Sequence, residues 1–298
     1  MGALADSPFG RVLTAMITPF DADGGLDLDG AQQLARWLVD HGSDGLVVNG
    51  TTGESPALSA TESVDLFRAV RQAVDVPVIA GTGSNDTAHA IRQSEAAAGI
   101  GVDGLLVVAP YYNRPSQAGL DRHFRLIAEA TKLPVILYDI PVRTGRKVES
   151  ETIVRLANEV PTIVGLKDAA GSPAETATVI AAVPDDFVVY SGDDPLTLPL
   201  LSVGARAVIS VASHWAGREI RAMFDAFDAG DVAEACRINQ RLLPSYAFQS
   251  TLDAPNPVPT KAMLRTLGLP AGECRPPMGP TPDGLEVEAK ELWDQLQG

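Results

Sequence analysis

Rhythm constrains this chain more than any other feature. Eight short runs rich in Val, Leu and Ile recur at 12–18, 45–49, 77–81, 104–109, 134–139, 162–167, 187–191 and 206–211, each bounded by Gly, Pro or Asp. Continuous apolar character over so few residues suits strands buried on both faces, the condition of an all-parallel sheet. The spacing of roughly 20 to 33 residues leaves room for one helix in each gap, the period of βα units closing into a barrel. Helical spacing fills those gaps: Val64, Phe67, Val70 and Val74 follow Ser59 and Glu62 in the arrangement of a capping box, and Leu120, Phe124 and Ile127 repeat the theme. The expected fold is α/β, a (β/α)8 TIM barrel; an open doubly wound sheet is the alternative.

Past the eighth run, helical patterns cover 217–229, 231–243, 260–268 and 285–296, with Pro255, Pro257 and Pro259 marking a loop. They read as an appended C-terminal helical layer. We expect residues 1–215 to carry the barrel strands, their helices and a catalytic rim. Residues 216–298 would supply the final barrel helix and that layer within the same structural unit, since no linker or low-complexity segment intervenes.

Composition narrows the function. With 45% apolar and only 5% aromatic residues, the core must be built from small aliphatic side chains. Against 23 Lys and Arg stand 38 Asp and Glu, a net charge of −15, which disfavours partners held by phosphate neutralisation, nucleic acid above all. Cys236 and Cys274 are the only cysteines and lie in no metal-ligand spacing, and the four histidines His41, His89, His123 and His214 form no pair, so no metal and no disulfide framework is expected. Residues 1–10 contain no leader-like run and no apolar stretch is of membrane-spanning length, so the expectation is a cytoplasmic protein that neither crosses nor enters a membrane.

In a barrel of this kind the chemistry belongs at the carboxyl ends of the strands. Reactive residues gather there: Asn49-Gly50-Thr51-Thr52-Gly53-Glu54-Ser55, Gly81-Thr82-Gly83-Ser84-Asn85, Pro110-Tyr111-Tyr112-Asn113-Arg114-Pro115, then Tyr138, Lys167 and Ser191-Gly192-Asp193-Asp194. Of five lysines, Lys167 alone ends a predicted strand, after Ile163-Val164-Gly165-Leu166. Desolvation there would lower its pKa, and an uncharged amine attacks a carbonyl to form an imine. The plainer reading is a lysine paired with Asp168 or reaching out to water. Tyr138, one strand away, is a candidate proton carrier or else an amphipathic core residue. Thr51 and Thr52, freed by flanking glycines, could hold a carboxylate or relay a proton, or simply form a turn. Arg143 could grip a substrate carboxylate, or be a solvated loop arginine. No dinucleotide or phosphate-loop motif is present.

Taken together, Gly50-Thr51-Thr52-Gly53-Glu54-Ser55, Tyr111-Tyr112-Asn113-Arg114-Pro115, Tyr138-Asp139-Ile140-Pro141-Val142-Arg143-Thr144, Gly165-Leu166-Lys167-Asp168 and Ser191-Gly192-Asp193-Asp194 resemble the dihydrodipicolinate synthase family over nearly the whole chain. The resemblance implies that Lys167 forms a Schiff base with pyruvate and that Tyr138 moves the protons. It implies that Thr52 holds pyruvate's carboxylate and links Tyr138 to the relay, with Thr51 beside it. Tyr112 would complete the relay from a neighbouring subunit of a homo-oligomer, a tetramer built as a dimer of dimers. Gly192 and Ile209 match substrate-binding positions, Ile209 through its backbone beside pyruvate.

The second substrate implied is aspartate 4-semialdehyde, its carboxylate bound by Arg143, and the product is 4-hydroxy-tetrahydrodipicolinate in lysine and diaminopimelate biosynthesis, made without cofactor or metal. Related lyases acting on sugar acids such as N-acetylneuraminate share the lysine and tyrosine, but generally lack the arginine and the first threonine. That lyase activity and a non-catalytic keto-acid-binding barrel are the alternatives. Relatives inhibited by lysine usually set a glutamate and histidines around an intersubunit cleft. The matching positions here are His89 for the glutamate and Ala60 and Ser63 for the histidines, beside Asn85 and Tyr111. Loss of the acidic partner implies weak or absent lysine feedback.

Overall fold

The computed structural model describes residues 7–297; positions 1–6 of the segment read above for a leader, and residue 298, lie outside the described residues. All eight predicted runs are strands: β1 (Val12–Ala15), β2 (Gly45–Val48), β3 (Val78–Gly81), β4 (Gly104–Val108), β5 (Val135–Asp139), β6 (Ile163–Asp168), β7 (Val188–Ser191) and β8 (Ala207–Ser210). They follow one another in sequence order around a closed barrel, so the open-sheet alternative falls. Strand β1 pairs with β2, and each strand from β3 to β7 with the next, in parallel, and nearly every strand residue is buried, as continuous apolar runs require.

The helices are α1 (Leu28–Asp40), α2 (Ala60–Ala73), α3 (Thr87–Ile100), α4 (Gln117–Ala130), α5 (Pro141–Thr144), α6 (Ser150–Glu159), α7 (Pro173–Ile180), α8 (Thr197–Ser202), α9 (Ser213–Asp228), α10 (Val232–Phe248), α11 (Val258–Thr266) and α12 (Leu285–Gln297). The Ser59 box is formed in both directions: Glu62 N–H donates to Ser59 Oγ (3.2 Å) and Ser59 N–H to Glu62 Oε2 (2.8 Å). Asp27, Asp86, Ser116, Ser172 and Asp231 cap five further helices, each such cap contributing about 1 kcal/mol.

The contacts divide the chain into two compact units. One comprises 7–11 and 77–209, with β3–β7, nearly all of β8 and α3–α8. Its β5 and β6 pair with Tyr138 opposite Lys167 and Asp139 opposite Asp168. Tyr190 is fully buried, its hydroxyl 2.7 Å from Ser7 Oγ. The other comprises 12–76 and 210–297, with β1, β2, α1, α2 and α9–α12. In it Thr14 Oγ1 meets Ser43 Oγ (2.5 Å) and Ser213 Oγ (2.8 Å), and Ile17 N–H donates to His214 Nε2 (3.1 Å).

Several boundaries differ from the sequence expectation. The helix anticipated over 231–243 continues through Pro244 to Phe248. Proline removes one helical hydrogen bond, but the turn beyond it is fastened by tertiary contacts: Trp215 Nε1 donates to Ser245 Oγ (3.0 Å), and the Trp215 and Phe248 rings meet edge to face. Strand β6 runs one residue past its expected end at Lys167 while β5 ends at Asp139 as expected, so Tyr138 and Lys167 are both penultimate.

Candidate active site

Lys167 is 5% exposed, and its Nζ lies 4.3 Å from the centroid of the Tyr138 ring, itself 4% exposed. The parallel register of β5 and β6 brings the two side chains together. Burial drives the Lys167 pKa down from 10.5 to about 8; the Asp194 carboxylate opposes that fall and the Arg143 guanidinium adds to it. At pH 7 about a tenth of the amine is therefore uncharged, whereas an ordinary lysine would have almost none.

Pairing with Asp168, the plainer reading of Lys167, is not what the structure has. Asp168 Oδ1 accepts from Ala170 N–H (2.9 Å) and Oδ2 from Thr176 Oγ1 (2.5 Å), so this carboxylate serves the start of the β6 loop and α7. Its neighbour Asp139 accepts from Val148 N–H (3.1 Å), and burial, reinforced by the charge of Asp168, pushes its pKa up to about 7. The residue that supports the charged form of Lys167 is Asp194, 3% exposed, whose motif the sequence displays but whose role it does not reveal.

Gly192 faces the same lysine. A Cβ there would lie 3.0 Å from Lys167 Cγ, Asp168 O and Ala169 Cβ, so the bare backbone lets the lysine stem pass. Arg143 sits exposed on α5, which Gly145 closes at φ 69°. Ile209 is buried in β8.

The loop after β4 holds Tyr112 at φ 73° and Arg114 at φ 47°, left-handed conformations uncommon outside glycine. Tyr112 is 90% exposed, an unusual setting for an aromatic ring. Asn113 Nδ2 ties this loop to Asn85 O (2.9 Å), and Arg146 Nη2 donates to Arg114 O (3.4 Å).

In the other unit, the threonine turn follows β2. Asn49 (φ 61°) and Glu54 (φ 57°) bracket it in the left-handed region, so all four such non-glycine residues of the described chain fall in the two loops carrying Thr51, Thr52 and Tyr112. Strained backbone of this kind persists only where its surroundings hold it. The holding groups come from far along the chain. Glu54, 4% exposed, forms an ion pair with the fully buried Lys261 (2.7 Å) and accepts from Arg275 N–H (2.9 Å), while Lys261 Nζ and the Arg275 guanidinium both lie close to the Phe20 ring. Removing one partner of such a buried pair typically costs about 3–5 kcal/mol. Thr52, 4% exposed, accepts from Asn256 Nδ2 (2.9 Å). Neither Lys261 nor Asn256 stood out in the sequence.

Ser63 is buried and its hydroxyl donates to Ser59 O (3.0 Å), Ala60 has no polar group, and His89 lies on α3. His214 and His123 are buried with pKa values pushed down to about 4 by desolvation, and His41 stacks on Trp37. Among the described residues no helix is long and apolar enough to cross a membrane.

A desolvated amine that is partly neutral, beside a buried phenol, can form an imine with a keto acid and move protons about it. Comparison with known proteins identifies the family. The Dihydrodipicolinate synthetase family matches residues 8–295. A 4-hydroxy-tetrahydrodipicolinate synthase from Moorella thermoacetica is 54% identical over 287 residues, 95% of this chain and 97% of that protein. DHDPS from Cyanidioschyzon merolae with lysine bound superposes with a TM-score of 0.95 at 44% identity, covering 98% of this chain and 99% of the other. The chloride-inhibited dihydrodipicolinate synthase from Acinetobacter baumannii complexed with pyruvate does so with a TM-score of 0.91 at 34% identity, covering 97% of this chain and 99% of the other. This chain therefore belongs to the dihydrodipicolinate synthetase family, and its activity is that of a 4-hydroxy-tetrahydrodipicolinate synthase in lysine biosynthesis.

Proposed function

We propose that the reaction runs through an imine between Lys167 Nζ and pyruvate. The neutral amine attacks C2 of pyruvate; the carbinolamine loses water to give the imine, and loss of a C3 proton gives an enamine. That carbon attacks the aldehyde of aspartate 4-semialdehyde, whose oxygen takes up a proton to become a hydroxyl. The substrate's own amine then displaces Lys167 from the imine carbon and closes the ring. No cofactor or metal enters this scheme. Alignment and one covalent intermediate replace a slow bimolecular condensation.

The observation that carries the reading is the Lys167 amine, desolvated and 4.3 Å from the centre of the Tyr138 ring. In the proposed assignment Tyr138 ferries the protons, Thr52 holds the pyruvate carboxylate and links Tyr138 to the relay, and Thr51 flanks that contact. Gly192 and the Ile209 backbone border the bound keto acid, and Arg143 binds the carboxylate of the semialdehyde. Tyr112, 90% exposed on a left-handed backbone, completes the relay from a neighbouring copy in a homotetramer, for which its exposure and strain are the support. A cytoplasmic setting fits the two free cysteines, Cys236 and Cys274. The test is Arg143→Ala in steady state with both substrates: the apparent KM for the semialdehyde rises while pyruvate imine formation persists. Unchanged kinetics with the semialdehyde would remove Arg143 from the assignment.

A further inference from the structure

Thr52 does not act alone in its own unit. A threonine hydroxyl has one proton to donate and two lone pairs to accept with. Asn256 Nδ2 donates to Thr52 Oγ1 at 2.9 Å, with both residues buried. Having accepted there, the Thr52 hydroxyl is free to direct its own proton at a different acceptor. The amide is held in the orientation this requires: Thr260 Oγ1, fully buried on α11, lies 3.4 Å from Asn256 Oδ1, and Asn256 N–H donates to Ser250 Oγ (3.2 Å). Five residues on, Lys261 grips Glu54, so the segment 256–261 holds the threonine turn at two points, Thr52 and Glu54.

We infer that Asn256 is a positioning residue that sets the direction of the Thr52 hydroxyl, keeping its proton available to the substrate carboxylate or the proton relay. The inference rests on the assignment of Thr52 proposed above. Were the amide to present its oxygen instead, Thr52 would donate to Asn256 and have only lone pairs left for the reaction. Asn256→Asp makes that change at constant shape, because an ionised carboxylate accepts only.

The experiment measures the rate at which pyruvate forms an imine, trapped by borohydride, for wild type, Thr52→Val, Asn256→Leu, the double variant and Asn256→Asp. Thr52→Val is expected to slow capture about a hundredfold, within the range of a lost proton-transfer group. Asn256→Leu is expected to slow it about five- to tenfold, the worth of one hydrogen bond. If Asn256 acts through the Thr52 hydroxyl, the double variant is no slower than Thr52→Val alone, to within about twofold. A part that merely filled space would instead multiply the two losses, and that result overturns the inference. So does wild-type capture by Asn256→Asp, which preserves packing and therefore still tests the idea if Asn256→Leu fails to fold. Slow Thr52→Val beside unimpaired Asn256 variants sinks the positioning role alone, whereas wild-type capture by Thr52→Val removes the assignment of Thr52 on which it stands.

Discussion

Burying an amine that must lose its proton has a thermodynamic cost, and Lys167→Met measures it. The folded protein releases the Lys167 proton at about 8, against 10.5 for an ordinary lysine. Each pH unit of that gap corresponds to about 1.4 kcal/mol, so wild type carries a penalty of about 3 kcal/mol wherever the unfolded chain holds the proton and the folded chain resists it. Below pH 8 that penalty is present in full. Between 8 and 10.5 the unfolded chain binds more protons than the folded one, so wild-type stability rises with pH and the penalty fades. Methionine, of similar length and without charge, has no such dependence. Urea unfolding of both proteins at pH 7 and pH 10.5 should therefore show Lys167→Met more stable by up to about 3 kcal/mol at pH 7, with most of the difference gone at pH 10.5. A difference independent of pH, or a wild type more stable at pH 7, would refute the claim that burial depresses this lysine.

Two further outcomes follow from the same geometry. Because the Asp194 carboxylate favours the charged amine, Asp194→Asn should move the pH midpoint of pyruvate capture below about 8, and Arg143→Ala, which removes a repelling cation, should move it above; shifts of the opposite sign, read from the pH profile of borohydride trapping, would contradict these roles. With Ala60 apolar, the Ser63 hydroxyl donated to Ser59 O and His89 where an acid would be needed, lysine should inhibit weakly or not at all in a steady-state assay, and micromolar inhibition would overturn that expectation.

The barrel was legible because parallel strands buried on both faces leave an unmistakable trace, short continuous apolar runs at βα spacing. The Ser59 box was legible because capping is local, with donor and acceptor three residues apart. The far end of α10 was not legible from local pattern, because Trp215 and Phe248, which fasten the turn beyond Pro244, meet only in three dimensions. At the site, residue types at strand ends pointed to Lys167, Tyr138 and Thr52. Their supports did not show. Asn256 reaches Thr52 across 204 positions, and Lys261 is a lysine within an ordinary helical pattern until Glu54 is found beside it. Nor could residue identity reveal left-handed backbone at Glu54, Tyr112 and Arg114, since none is glycine or asparagine.

The central claim is that Lys167 Nζ is the nucleophile. Incubation with pyruvate and sodium borohydride, followed by proteolysis and mass analysis, tests it most directly. The account predicts a reduced pyruvate adduct confined to the peptide carrying Lys167 and absent from Lys167→Ala. An adduct on another lysine, or an unmodified protein whose synthase activity survives the treatment, would contradict it.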